Sequence, residues 1–295
     1  RLSESDASDT KGLPDLFTDG ISVIWKSPLF CRLLEDENSD GILFFDEINL
    51  APALVISSVY KIIYDRVIND SKISANWGIF GAGNIDEDRA NTHKLAPPVR
   101  DRGGEVELLG AESEQWLDWA VKNNIDNRII AYINYAKDKL WQVDYKDNQK
   151  FTTYRGWERL SNLIKDINDD YELLQLVATS AIGEAIAIEF SAFCKIQEKV
   201  NVDEIIKNPE KLKEIQEIDV RFFVITAIAE KYNEKAVSMD KIIKISNILD
   251  EMEITDFVAL LWRMCIRYDA ERFVDEFQNK STDKLTEKFS KYIIR

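Results

Sequence analysis

The chain has 295 residues, is 45% hydrophobic and carries a formal net charge of −15, so it has room for one large domain or two to three smaller ones with a substantial core. The acidity argues against a broad nucleic-acid patch, which needs clustered Lys and Arg, and no run of about eighteen apolar residues marks a membrane span. Three scattered cysteines, Cys31, Cys194 and Cys265, with the single His93 leave no Cys/His zinc pattern, and the expected compartment is reducing and cytoplasmic.

Ten of the eleven glycines lie at or before Gly156 and five of the six prolines at or before Pro98. These residues punctuate turns, so the first third should mix strands, loops and helices, and the rest should be helical. Thr18 to Leu34 carries Trp25 and Phe30, aromatics that either grip a partner or simply pack, with packing the default. Ile42 to Phe45, Trp77 to Ala82 and Glu105 to Leu109 are short apolar runs bounded by Gly, Asp or Asn, as in strands of a covered parallel sheet. Between the first two, Val55, Val59, Ile62, Ile63 and Val67 recur at helical spacing over Ala51 to Ile68. Strand–helix–strand order implies an α/β layer.

Beyond Gly110 the pattern turns helical. Helices are expected over Glu112 to Lys122, with Trp116 and Trp119 as anchors, over Asn127 to Leu140, and over Gly156 to Ile167 with its stripe of Trp157, Leu160, Leu163, Ile164 and Ile167. Further helices fit Tyr171 to Thr179, Ala185 to Glu198, Val220 to Tyr232, Met239 to Leu249 and Ile254 to Ala270, with a turn at Asn208-Pro209.

The most informative chemistry is Asp46-Glu47, two acids at the carboxyl end of an apolar strand. Ligands bind at that end of open α/β sheets. Such a pair has the Walker B pattern: the first acid holds Mg²⁺, usually through water, and the second polarises a water that attacks a γ-phosphate. The alternative is two acids ending a strand at the surface.

In order along the chain, Gly41-Ile-Leu-Phe-Phe-Asp-Glu-Ile-Asn-Leu-Ala51, Trp77-Gly-Ile-Phe-Gly-Ala-Gly-Asn84, Leu95-Ala-Pro-Pro-Val-Arg-Asp-Arg-Gly103 and Phe151-Thr-Thr-Tyr-Arg-Gly-Trp-Glu158 resemble the Walker B, sensor-1, arginine-finger and sensor-2 blocks of the MoxR-like, dynein-related branch of AAA+ ATPases. The resemblance covers roughly residues 1 to 170, and Arg1-Leu2-Ser3 resembles the family's strand after the P-loop helix. It implies a P-loop NTPase core of parallel strands over 1–111, an all-α lid over 112–170 and a C-terminal helical extension over 171–295. It assigns Mg²⁺ to Asp46, water activation to Glu47 and water positioning to Asn84, whose amide can both donate and accept. Arg102, and second Arg100, act as fingers on a neighbouring subunit's nucleotide, and Arg155 closes the lid onto ATP. Each has a plainer reading. Asn84 is a good turn residue after Gly83, Arg100 and Arg102 can pair with Asp101 and Glu105, Arg155 can pair with Glu158, and His93 can be a loop residue. Tyr154 stands where the family pattern usually has proline.

The cofactors implied are ATP and Mg²⁺. The partners implied are copies of the same chain in a ring, a hexamer by resemblance, together with a von Willebrand-type protein. No membrane or nucleic acid is expected. The function implied is a remodelling chaperone or motor driven by ATP hydrolysis. The alternatives are a non-hydrolysing AAA+-like scaffold and a DNA-associated motor. No Gly-x-x-x-x-Gly-Lys-Ser/Thr stretch occurs in the 295 residues. The first strand and P-loop are expected upstream, on the order of a few tens of residues away, as a βαβ unit requires.

Overall fold

The computed structural model describes residues 1–15, 24–26, 29–68, 71–84, 104–142, 152–198 and 200–280. They fall into two compact units, Arg1–Leu108 and Leu109–Arg295.

Unit 1 is mixed α/β. Leu2–Glu4 is a 3₁₀ turn, not the strand that the resemblance implies there. Its Leu2 amide nevertheless donates to the Asp46 carbonyl at 3.0 Å. Helix α1 (Ala7–Lys11) starts at Asp6, whose side chain accepts from Ser8 and Asp9 amides while Asp9 reaches back, a capping box. Strand β1 (Leu13–Asp15) pairs antiparallel with β2 (Ile24–Lys26). On that hairpin Trp25 is exposed, as is Phe30 on α2 (Leu29–Glu35), so neither aromatic packs into the core as expected.

Strand β3 (Gly41–Phe45) leads through a turn into α3 (Ala53–Asp65). Val55, Val59 and Ile62, at helical spacing, are all buried there. Arg66 ends the helix in a left-handed conformation, φ 52°. Its guanidinium donates to the carbonyls of Ser74 at 2.7 Å and Trp77 at 2.8 Å, fixing where the returning chain begins its next strand. A small antiparallel hairpin, β4 (Val67–Ile68) and β5 (Ser71–Lys72), intervenes. Then β6 (Trp77–Gly81) lies parallel to β3, in register from Gly41↔Trp77 to Phe45↔Gly81. The strand–helix–strand unit read from the sequence is therefore present.

The sheet is thinner than expected. Phe45 packs with Ile48, Val55, Val59 and Ile62 in the apolar cluster, but on the opposite face Ile42 is 67% exposed and Phe44 and Phe80 are each 57% exposed. The expectation of a sheet covered on both faces is corrected to one covered face. Glu105 to Leu109 is not a strand either. Val106, Leu108 and Leu109 are exposed, and among the described residues no strand pairs with this run to satisfy its amides and carbonyls.

Unit 2 is helical. Its helices are α4 (Ser113–Lys122), α5 (Asn127–Tyr135), α6 (Tyr154–Ile164), α7 (Tyr171–Ile182), α8 (Glu184–Cys194), α9 (Val202–Lys207), α10 (Ile218–Asn233), α11 (Met239–Glu251), α12 (Thr255–Tyr268) and α13 (Ala270–Lys280). Short polar side chains start several of them: Asp126 before α5, Thr153 before α6, Asp170 before α7 and Asn201 before α9 each accept from a first-turn amide. The helix expected over Asn127 to Leu140 ends at Tyr135, with a 3₁₀ turn at Lys137–Lys139. The one expected over Ile254 to Ala270 breaks at Asp269, whose carboxylate accepts from the Arg272 amide at 3.0 Å and starts α13.

Residues 112–170 and 171–295, distinct by sequence, contribute to a single apolar cluster. It runs from Trp116 to Phe277 and includes the fully buried Tyr132, Trp157, Phe190 and Trp262. Trp116 is an anchor as expected, while Trp119 is partly exposed. Arg128 binds the end of α6 through the Ile164 carbonyl at 2.8 Å and pairs with Asp126 at 2.7 Å. Among the described residues no helix is long and apolar enough to cross a membrane.

Candidate functional site

Asp46 and Glu47 occupy the turn that follows β3, at its carboxyl end, as the sequence implies. Asn84 lies three residues beyond the end of β6. Because β3 and β6 are parallel and in register, both segments emerge at the same end of the sheet, where ligands of α/β layers bind.

The backbone continues to pair past the strand ends. The Ala82 amide donates to the Phe45 carbonyl at 2.9 Å, and the Ile48 amide donates to the Ala82 carbonyl at 2.8 Å. Inside the turn, the Leu50 amide donates to the Glu47 carbonyl at 3.0 Å. Glu47 itself has φ 57°, a left-handed backbone that costs an L-residue roughly 1–2 kcal/mol. Strain of this kind gathers at functional positions when the surroundings hold it, and here the flanking hydrogen bonds do so.

One residue that the sequence reading passed over completes the arrangement. Asn49 is buried, and its side-chain amide spans the backbone of Asn84. Oδ1 accepts from the Asn84 amide at 3.0 Å, and Nδ2 donates to the Asn84 carbonyl at 2.5 Å. Gly83 makes the approach possible, since a Cβ there would sit 2.5 Å from Asn49 Oδ1. The signal available in the sequence is a single amide side chain inside the apolar stretch Ile48-Asn49-Leu50-Ala51.

Asp46 is half-exposed and faces Arg1, Nε to Oδ2 at 3.7 Å, a solvent-screened pair that is worth little. Mg²⁺ keeps most of its waters and takes one or two carboxylates alongside phosphate oxygens. A solvent-accessible carboxylate at a strand end fits that donor set, whereas no group of three or more metal-ligating side chains occurs among the described residues. Asp46 is the residue that would hold such an ion.

Arg155 belongs to unit 2. It is exposed in the first turn of α6, behind the Thr153 cap, whose hydroxyl accepts from Gly156 at 3.0 Å. Among the described residues it has no ion-pair partner, so the pairing with Glu158 is not formed. A cation at a helix N-terminus opposes the dipole, so the position does nothing for the helix. Tyr154, beside it, is tied down on its own account. It donates to the Ala111 carbonyl at 2.8 Å and packs on Trp141 with ring centroids 4.8 Å apart. Arg100, Arg102 and His93 lie outside the described residues.

No family model, curated protein or solved structure matches the chain.

Proposed function

We propose that this chain carries the water-activating and sensing side of an ATP-hydrolysing site of the AAA+ type. The observation that carries the reading is the convergence of Asp46-Glu47 and Asn84 at the carboxyl ends of two parallel, in-register strands. Asp46 holds the water shell of Mg²⁺, Glu47 accepts a proton from the attacking water, and the Asn84 amide orients that water. ATP, as its Mg²⁺ complex, supplies the phosphoryl group that is cleaved. Arg102 and Arg100 act on the nucleotide of an adjacent copy, and Arg155 closes from the helical side. The assembly is a ring, a hexamer by family resemblance, and the work done is remodelling of a partner.

No Gly-x-x-x-x-Gly-Lys-Ser/Thr stretch, the usual grip on the phosphates, occurs in these 295 residues. A second reading is a non-hydrolysing scaffold that retains the layer for assembly. The two part on one measurement, steady-state ATPase and nucleotide binding of the protein as encoded, alongside Glu47→Gln. The enzyme reading expects nucleotide binding kept and turnover reduced by about a hundredfold or more. Equal turnover in both proteins, or no turnover in either, rejects it.

A further inference from the structure

Asn49 carries an inference that rests on the site proposed above. Its side chain is buried, yet it bonds to neither acid in any contact seen. Both of its functional ends go to the main chain of Asn84. A primary amide is the one side-chain group that offers a donor and an acceptor side by side with peptide-like spacing, and Asn has the shortest stem that bears it. Here it acts as one more rung of a ladder. Backbone pairing across the strand ends finishes at Ala82 with Phe45 and Ile48, and the Asn49 amide continues it to residue 84.

The two segments joined are the ones that bear the candidate chemistry. Asn49 stands two residues after Glu47, in the turn closed by the Leu50 to Glu47 hydrogen bond. Asn84 is the polar residue at the end of the other segment. Gly83 is part of the device, because any Cβ at that position would meet Oδ1 at 2.5 Å.

We infer that Asn49 is a positioning residue: it sets the separation between the water-activating carboxylate of Glu47 and the water-orienting amide of Asn84 by clamping the Asn84 backbone. Both of its polar atoms are taken up by the Asn84 main chain, so its effect reaches the reaction only through Asn84. Small displacements at such a site cost up to about a hundredfold in rate, whereas nucleotide affinity depends on groups elsewhere. The clamp therefore governs kcat and leaves KM for ATP alone.

Three substitutions test this in the protein as encoded. Asn49→Asp keeps the acceptor for the Asn84 amide and turns the donor into an anion facing a carbonyl. Gly83→Ala displaces the clamp without altering Asn49. Asn49→Asp combined with Asn84→Ala asks whether the effects share a route. The expected result is a fall in kcat of about tenfold to a hundredfold for Asn49→Asp and for Gly83→Ala, with KM within about twofold. The combined variant should be no slower than Asn84→Ala alone, as for residues acting as a unit. Amide hydrogen exchange gives a readout independent of turnover: the Asn84 amide should be protected in the parent and lose protection in Gly83→Ala. Wild-type kcat in Asn49→Asp, while Glu47→Gln is inactive, overturns the clamp and leaves the ATPase reading intact. Full additivity of Asn49→Asp and Asn84→Ala also overturns it, and so does unchanged exchange at Asn84. If Glu47→Gln turns over like the parent, the reading of the site itself fails.

Discussion

In unit 2, helices α4 to α13 close around one apolar cluster in which Tyr132, Trp157, Phe190 and Trp262 are fully buried. In unit 1, a two-stranded parallel sheet packs one face on α3 and leaves Ile42, Phe44 and Phe80 exposed on the other. Parallel strands are ordinarily buried on both faces, so the two regions stand at different distances from a finished core. The candidate chemistry lies mostly on the thinner one. There, position is secured less by bulk packing than by specific polar links: Arg66 to Ser74 and Trp77, Asn49 to Asn84, and the buried Thr10–Ser58 hydrogen bond at 2.6 Å. Regions with few buried apolar contacts open at lower free energy than well-packed ones. A site built on such a region depends on its hydrogen bonds to a degree that a helical bundle does not.

Four substitutions sharpen or break this contrast. The largest effect is expected in the helical core. Trp157→Ala removes a side chain that is 0% exposed and packs against Tyr132 and Phe190. It should destabilise unit 2 by about 4 kcal/mol in chemical denaturation followed by helical circular dichroism. A loss below about 1 kcal/mol would mean the cluster is not a close-packed core.

Next comes the ion-pair network around Glu114, which Lys137, Arg263 and Arg267 approach. Burial pushes the Glu114 carboxyl up, but the hydrogen bonds and charges of Lys137 and Arg267 outweigh it and hold the group below its usual 4.5. A lowered folded-state value stabilises the fold above the unfolded-state value, and that stability is lost as pH falls through the folded-state value. Glu114→Gln should thus cost about 1 kcal/mol at pH 7, discounted for the partial exposure of Glu114. The difference from the parent should shrink as pH drops below 4.5. Melting curves across that range provide the check, and a difference that grows toward acid would reverse the assignment.

In unit 1, Glu47→Gly relieves a left-handed backbone at φ 57°. It should raise stability by about 1 kcal/mol while abolishing any turnover, a trade expected where strain serves function. Lower stability in this variant would show that the Glu47 side chain holds the turn. The smallest effect is expected on the open sheet face. Phe44→Ser should change stability by under about 0.5 kcal/mol, as for exposed positions generally. A loss several times larger would reveal a covering element and erase the contrast between the two units.

Much of this was legible in local pattern. Apolar runs at 42–45 and 77–82 flanking a helix-period stretch specify strand, helix and strand, because a period of two or a continuous apolar run suits a pleated layer and a period of 3.6 suits a helix. Asp46-Glu47 and Asn84 end up on adjacent segments, as the resemblance of their two blocks implies. Helix starts at Asp126, Thr153 and Asp170 follow from short polar side chains ahead of apolar stripes. The run at 105–109 fails for a reason that no local reading could supply. A strand is completed by its neighbour, and Val106 and Leu108 have the composition of one but pair with no strand among the described residues.

The sequence by itself determined the strand–helix–strand unit, the mostly helical nature of the described residues after Gly110, and the pair of acids at a strand end. Tertiary structure alone decided the register in which β3 and β6 pair, that one face of their sheet stays open, and that Asn49 is tied to Asn84, thirty-five positions away along the chain. The division has a physical basis. Periodicity and capping are local properties of a chain, whereas a buried amide finds its partner only after distant segments have been brought within hydrogen-bonding distance.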